Sequence, residues 1–278
     1  MSQLLRVSVD LLREALRRRW FLALFLAMTG VLLVLGLSLQ IEVVDGAIAG
    51  SKLFGAVFSQ DIVATDRVLG AVSMVTAYAS FYFGALFLAV ACSDFAPELL
   101  APGRIEHLLS LPVARWQLLF GTYVGVIVLA AAAVGYGALG LTVLLGVKTG
   151  SWSASLFVGA LIGWCGFCAL YAAMLASAFF VRSAALSAAT GVTTLILGVL
   201  SSYREDIGGV MSEGVNRQIF KAAMLPFPRL AMLASASAHY AGGQPMQAET
   251  IARLIIGAFV FSAGLLSVAA WRFEKSDY

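Results

Sequence analysis

The chain has 278 residues and a formal net charge of +3, and 61% of its residues are hydrophobic while 12% are charged. Soluble domains are about one quarter charged, so this composition excludes an ordinary soluble protein and indicates an integral membrane protein. The small net charge does not favour nucleic acid as a partner, and the basic residues instead report the orientation of the chain in a membrane.

The N-terminal residues 3–19 are predicted to form an amphipathic helix on the inner leaflet. Leucines occupy one helical face, whereas Arg6, Arg13 and Arg17 lie on the other. A plain basic flank without a further role is the alternative. In either case the basic cluster places the N-terminus in the cytoplasm. The apolar run that follows is too long for the core of a cleavable signal peptide, so we expect it to stay attached.

Six apolar runs are long enough to cross a bilayer as helices. They cover residues 20–41, 68–93, 116–147, 149–181, 183–203 and 254–271. The predicted fold class is therefore an all-α integral membrane protein, with six transmembrane helices in one domain and a cytoplasmic tail at 272–278. Trp20, Trp116 and Trp271 fall at the predicted cytoplasmic interfaces, which indole rings favour.

The two long outer loops differ in the secondary structure that their sequences indicate. Residues 42–67 mix acidic residues, glycines and an apolar segment that could hold a short surface helix. Residues 204–253 predict two short helices, interrupted by Pro226-Phe227-Pro228 and ended by Gly242-Gly243. Two interpretations stay open for this second loop: a re-entrant cap packed among protein, or a simple folded outer loop.

Small residues recur at helix-packing spacing in the third and fourth predicted spans. Gly121 and Gly125 form one GxxxG pair, and Gly159 and Gly163 form another. Such pairs place two side-chain-free patches on one helical face and allow close helix contact in lipid. Packing within the subunit is one interpretation, and a dimer seam or moving interface is the other.

Residues of catalytic or metal-binding type do not assemble into a known motif. Cys165 and Cys168 have CxxC spacing but lie within a predicted span, where we expect them to pack as small apolar residues. His107 and His239 are predicted on opposite sides of the membrane. No Walker A, Ser-His-Asp or HExxH pattern occurs, so we expect no enzyme activity. The span interiors also lack charged residues, which argues against an ion-coupled carrier and implies an external energy source.

The inner loop at 94–115 is a polar island between two apolar runs. Pro97, Pro102 and Pro112 bracket two short pieces, since proline tends to start one helix and end another. The second piece predicts a short amphipathic helix, with Ile105, Leu108 and Leu109 on one face. Its opposite face carries Arg104, Glu106, His107 and Ser110. A connector without a partner is the alternative.

This loop carries a family resemblance. The run from Pro97 to Arg115, PELLAPGRIEHLLSLPVAR, followed by Leu118-Leu119 and the Gly121/Gly125 pair, resembles the loop between helices two and three of ABC-2 type transporter permeases. Within that superfamily it is most similar to the NosY-like group, whose members more often have Gly-Thr where this chain has Gly103-Arg104. The basic N-terminus, the six spans and the large loop before the last span are similar too.

The resemblance implies a type V exporter fold in the bacterial cytoplasmic membrane, with both termini cytoplasmic. Two permeases, identical or homologous, would form a dimer in the lipid bilayer, each docked on a cytoplasmic ATPase that binds ATP and Mg²⁺. This chain would hold no cofactor or metal. Whether an accessory periplasmic protein takes part stays open. The ATPase-coupling residues implied are Glu98, Arg104, Ile105, Glu106, His107, Leu108, Leu109 and Arg115. The outer gate implied includes Pro226, Phe227 and Pro228.

Two other classes of function stay open at this stage. One is an ATP-independent six-helix carrier or channel. The other is a membrane assembly protein without a transport path. The transported substrate does not follow from the sequence, because an apolar pathway lined by glycine, alanine and aromatic residues fits many ligands.

Overall fold

The computed structural model describes residues 19–44, 47–53, 56–59, 63–110, 114–150, 152–211, 213–244 and 246–275. The predicted interfacial helix, apart from its last residue, and the last three residues of the tail lie outside the described residues. The first helix, α1 (Arg19–Ser38), has 20 residues and covers most of the first predicted span.

A small antiparallel sheet follows α1. It consists of β1 (Leu39–Val44), β2 (Ala47–Leu53), β3 (Ala56–Ser59) and β4 (Val63–Ala64). β2 is central: β1 pairs with one edge, with Leu39 opposite Leu53, and β3 and β4 pair with the other. The possible surface helix in the outer loop at 42–67 is therefore replaced by strands, which β-branched residues such as those of β1 favour.

The rest of the described chain is helical. Its helices are α2 (Thr65–Ala91), α3 (Phe95–Leu99), α4 (Arg104–Leu109), α5 (Arg115–Thr149), α6 (Ser155–Phe180), α7 (Ala184–Ser202), α8 (Arg204–Val210), α9 (Val215–Met224), α10 (Leu230–Ala241) and α11 (Ala248–Lys275).

Five segments of the described chain are long and apolar enough to cross a membrane, so the membrane character predicted from composition is confirmed. They are Leu69–Leu99, Arg115–Thr149, Ser155–Phe180, Ala184–Ser202 and Ala248–Lys275. Each coincides with one of the last five predicted spans, with shifted ends.

Two of the shifted ends have clear physical causes. α6 begins at Ser155 rather than near residue 149, because Gly150 ends α5 in the left-handed conformation, with φ of +73°. α11 begins at Ala248, several residues before the predicted span, because Glu249 and Arg253 form an i,i+4 ion pair on its first turns. Hydropathy alone does not detect such polar helical turns.

α6 is the centre of the bundle. It packs against α2, α5, α7, α10 and α11. Its sequence is apolar on all sides and rich in alanine and glycine, as expected for a helix surrounded by other helices. The short helix α10 packs on the first half of α6: Ser237 lies against Gly159, and Leu233 lies against Gly166 near the middle of the helix. α10 therefore lies inside the bundle rather than above it.

Candidate functional site

The polar connector between α2 and α5 is folded for most of its length. The chain turns between α3 and α4 at Gly103, whose φ of +81° lies in the left-handed region that glycine adopts without steric cost. The amides of Arg104 and Ile105 then both donate to the carbonyl of Ala101, at 3.2 and 3.1 Å. We call the segment 92–110, which contains α3 and α4, the connector.

The apolar side chains of the connector are buried in the core of this chain. Phe95, Leu99, Leu100 and Ile105 are each at most 5% exposed, and α3 packs against α6. Burying such a side chain stabilises a folded protein by roughly 1.5–3 kcal/mol. The sequence assigned Ile105 to a contact with a partner, whereas the structure places it in the main core cluster. Ile105 therefore fastens α4 to the bundle.

The outward face of the connector is charged. Arg104 Nη1 lies 3.8 Å from Glu98 Oε2, and the two side chains are 41% and 44% exposed. An exposed pair of this kind contributes at most about 1 kcal/mol, so its main effect is to orient the two side chains. Glu106 is exposed, and its carboxylate makes no ion pair or hydrogen bond with another described residue. Three further predicted contact side chains lie outside what the structure describes: those of His107, Leu108 and Leu109.

Arg115 joins the start of α5 to the end of α11. Its Nη1 donates to the carbonyl oxygens of Phe273 and Glu274, at 3.0 and 3.2 Å. The last carbonyls of a helix have no partner within the helix, and the negative end of its dipole attracts a cation. Arg115 thus caps α11. The sequence grouped Arg115 with the ATPase contacts, and no sequence pattern links it to a carbonyl more than 150 residues away.

Aromatic contacts extend this junction to the end of α6. The ring of Phe273 is fully buried, and its centroid lies 4.8 Å from that of Phe179. Arg272 places its guanidinium 5.9 Å from the ring centroid of Phe180, within the range of a cation–π contact. The ends of α6 and α11, the start of α5 and the connector therefore lie together at one end of the bundle.

The predicted gate segment lies where α7 ends. Ser201 Oγ donates to the carbonyls of Met224 and Phe227, each at 2.9 Å. The ring of Phe227 lies 5.9 Å from that of Phe261 on α11, and Pro228 is buried while Pro226 is exposed. The Pro-Phe-Pro segment is therefore fastened to both α7 and α11.

Both predicted glycine pairs are on helices of the bundle, and one of them lies at a helix contact inside the chain. Gly121 and Gly125 are buried on α5. A Cβ on Gly159 would stand 2.6 Å from the carbonyl oxygen of Ser237, and one on Gly163 would stand 3.4 Å from the hydroxyl of that serine. Gly159 and Gly163 thus form the surface on which α10 lies, and Ser237 Oγ donates to the Gly159 carbonyl at 2.7 Å.

Comparison with known proteins does not identify a family for this chain. No protein-family model matches it, and no curated protein matches it significantly. Function is therefore inferred from the residues and their geometry.

Proposed function

We propose that this chain is the permease subunit of an ATP-binding cassette exporter of the ABC-2 type, similar to the NosY-like group. A second permease, identical or homologous, completes the translocation pathway across the bacterial cytoplasmic membrane. A separate ATPase binds ATP and Mg²⁺, docks on the connector and supplies the energy. The chain itself carries no catalytic residues in this proposal.

The connector is the observation that carries the proposal. Its apolar side chains are buried beneath it, whereas Glu98, Arg104 and Glu106 face outward. A helical pair of this kind is a rigid, charged projection at one end of an apolar bundle. Charged groups on such a surface favour a specific partner by complementary potential. We assign the ATPase contact to this charged face, and the buried Ile105 to the anchoring of α4.

The contacts around the connector suit a mechanical role. A push on α4 reaches the bundle through the buried side chains of Leu100 and Ile105, and reaches α6 through α3. Arg115 ties the start of α5 to the last turn of α11 at the same end. Closely packed interiors transmit displacement rather than absorb it. Closure of the ATPase would therefore move α2, α5, α6 and α11 together.

α1 supplies the sixth transmembrane helix in this proposal. Its 20 residues span about 30 Å, the thickness of the hydrocarbon core. It packs against α5, where Thr29 Oγ1 lies 2.7 Å from the hydroxyl of Tyr136 and the ring of Phe25 meets that tyrosine edge-on at 5.0 Å. The dense basic cluster before α1, which includes Arg13, Arg17 and Arg18, supports a cytoplasmic N-terminus. With six spans, the connector and the C-terminus are then cytoplasmic too.

Affinity purification of the full chain from its native membrane in mild detergent tests the proposal. We expect a nucleotide-binding subunit with a Walker A sequence to be recovered with it. Charge reversal by Glu106→Arg is expected to lower the recovered ATPase about tenfold or more, since truncating or reversing a contact charge at an interface costs several kcal/mol.

The matched control is Glu249→Arg, the same substitution on an exposed residue at the far end of α11. It is expected to leave ATPase recovery unchanged. Recovery of no ATPase with the unmodified chain would refute the proposal. If both variants recovered the same amount of ATPase, the docking surface would lie elsewhere than on the connector.

A further inference from the structure

A cleft of about 740 Å³ opens at the end of the bundle opposite the connector. It lies between the starts of α2 and α6 and the ends of α5 and α10, and small-molecule pockets typically measure roughly 300–1,000 Å³. Its lining includes Gly70, Ser73, Trp152, Ser155, His239 and Gln244. Under the proposed orientation this is the outer side of the membrane.

Trp152 forms an aromatic wall of the cleft. The chain reverses after Gly150, and the indole comes to rest on α5 at Gly146, where an added Cβ would stand 2.7 Å from the ring. One side of the ring is thus supported by backbone, while 64% of the residue is exposed. Interfacial anchoring also exposes tryptophan, so the ring by itself does not define a site.

Polar side chains line the cleft beside the indole. Ser73 is only 4% exposed, yet its hydroxyl makes no hydrogen bond to any described residue. The side chains of His239 and Gln244 are likewise without a hydrogen-bond partner in the described chain. All three side chains line the cleft, so their donor and acceptor atoms are open to a ligand that enters it.

A helix-end motif holds two of these groups in place. Gln244 N–H donates to the carbonyl of His239 at 2.9 Å, and Gly243 N–H donates to that of Tyr240 at 3.0 Å. With Gly243 at φ of +73°, this is a Schellman motif. Gly70 and Gly242 meet backbone to backbone beside it, since a Cβ on Gly70 would stand 2.8 Å from the Gly242 oxygen. The backbone that carries His239 and Gln244 is therefore fixed before any ligand binds.

The chemistry of the lining selects one class of ligand. Serine, glutamine and histidine side chains can both donate and accept, and none of the described lining residues is Asp, Glu, Lys or Arg. A set of side chains that both donate and accept matches hydroxyl groups, which do the same, better than it matches an anion or a metal cation. The electron-rich face of an indole suits the C–H face of a saturated ring.

We propose that this cleft binds an uncharged sugar ring, either free or as the headgroup of a lipid. Trp152 stacks on the ring, and Ser73, His239 and Gln244 pair with its hydroxyls. The site is independent of ATPase docking, because its residues lie at the other end of the bundle.

Saturation-transfer NMR with the full chain in lipid nanodiscs, free of sugar-based detergent, tests this with trehalose as the probe. Ser73→Ala should raise the dissociation constant about fivefold, the equivalent of one hydrogen bond. Trp152→Ala should raise it about tenfold or more. Gly146→Ala should also weaken binding, because it displaces the indole while keeping every polar group. Ser267→Ala, on an exposed part of α11, is the matched control and should leave binding unchanged.

A second arm distinguishes the source of the sugar. Monoglucosyl diacylglycerol in the nanodisc should compete with trehalose if a lipid headgroup is the ligand, and should not compete if only free sugar enters. Either result supports a sugar site. Binding of neither probe, or binding that all the cleft variants leave unchanged while they elute like the unmodified chain, would overturn the proposal.

Discussion

Single glycines decide how closely the helices of this bundle approach. Where α10 crosses α6, the backbone of Ser237 lies against Gly159, and the serine hydroxyl donates across the same contact. Lipid provides no hydrophobic force between helices, so such contacts depend on close packing and interhelical hydrogen bonds. Gly257 on α11, by contrast, has nothing within 4 Å of an added Cβ.

Gly159→Ala and Gly257→Ala therefore form a matched pair. The first should destabilise the chain by roughly 1–3 kcal/mol, because the methyl group must push the Ser237 carbonyl aside. The second should be neutral, or stabilising by up to about 1 kcal/mol, since alanine is the better helix former. Thermal unfolding in one detergent measures both. Equal midpoints for the two variants would contradict the close contact at Gly159.

Among the elements, α10 shows most clearly what one sequence can and cannot predict. Pro226, Pro228 and Gly243 mark its ends, and those breaks were predicted. Its cap was not predictable, because no side chain next to its start supplies one. Instead Ser202 Oγ, at the end of α7, accepts from the amides of Ala231 and Met232 at 2.9 and 3.4 Å. A cap supplied from 29 residues away has no local signature.

Removing that hydroxyl tests the coupling of α7 to α10. Ser202→Ala should cost about 1–2 kcal/mol, because the buried amide of Ala231 loses its acceptor. Hydrogen exchange at the first turn of α10 should accelerate while exchange in the middle of α6 changes little. The control is Ser267→Ala, whose hydroxyl bonds only within its own helix. Unchanged protection at the first turn of α10 would mean that Ser202 is not its cap.

The first strand of the sheet between α1 and α2, and the turn after it, have recognisable patterns in the sequence. Residues 39–44 alternate around β-branched side chains, and Asp45-Gly46 is a dipeptide typical of hairpin turns. The pairing of Val44 with Ala47 fits that signal. Period-two alternation in residues 39–44 indicates β1, whereas β2, with the sequence AIAGSKL, has no such alternation and is indicated only by the turn dipeptide before it.

At the scale of the whole molecule, apolar length predicted the transmembrane body well. Five of the predicted spans coincide with five apolar helical segments. Exposing unpaired backbone groups to lipid is costly, so a long apolar run in a membrane has few alternatives to a helix. The site was predictable only in part. The prolines and charged residues predicted the position of the connector. The burial of Ile105 and the capping of α11 by Arg115 were not predictable, because they depend on contacts between residues distant in sequence.

The central claim is that the charged face of the connector touches an ATPase. Photo-crosslinking from position 106 in intact membranes tests it most directly, with a photoreactive residue in place of Glu106 and the same residue at Glu249 for comparison. We expect an adduct with a Walker A protein from position 106 and none from position 249. No adduct from position 106, or the same adduct from both positions, would contradict the docking of an ATPase on the connector.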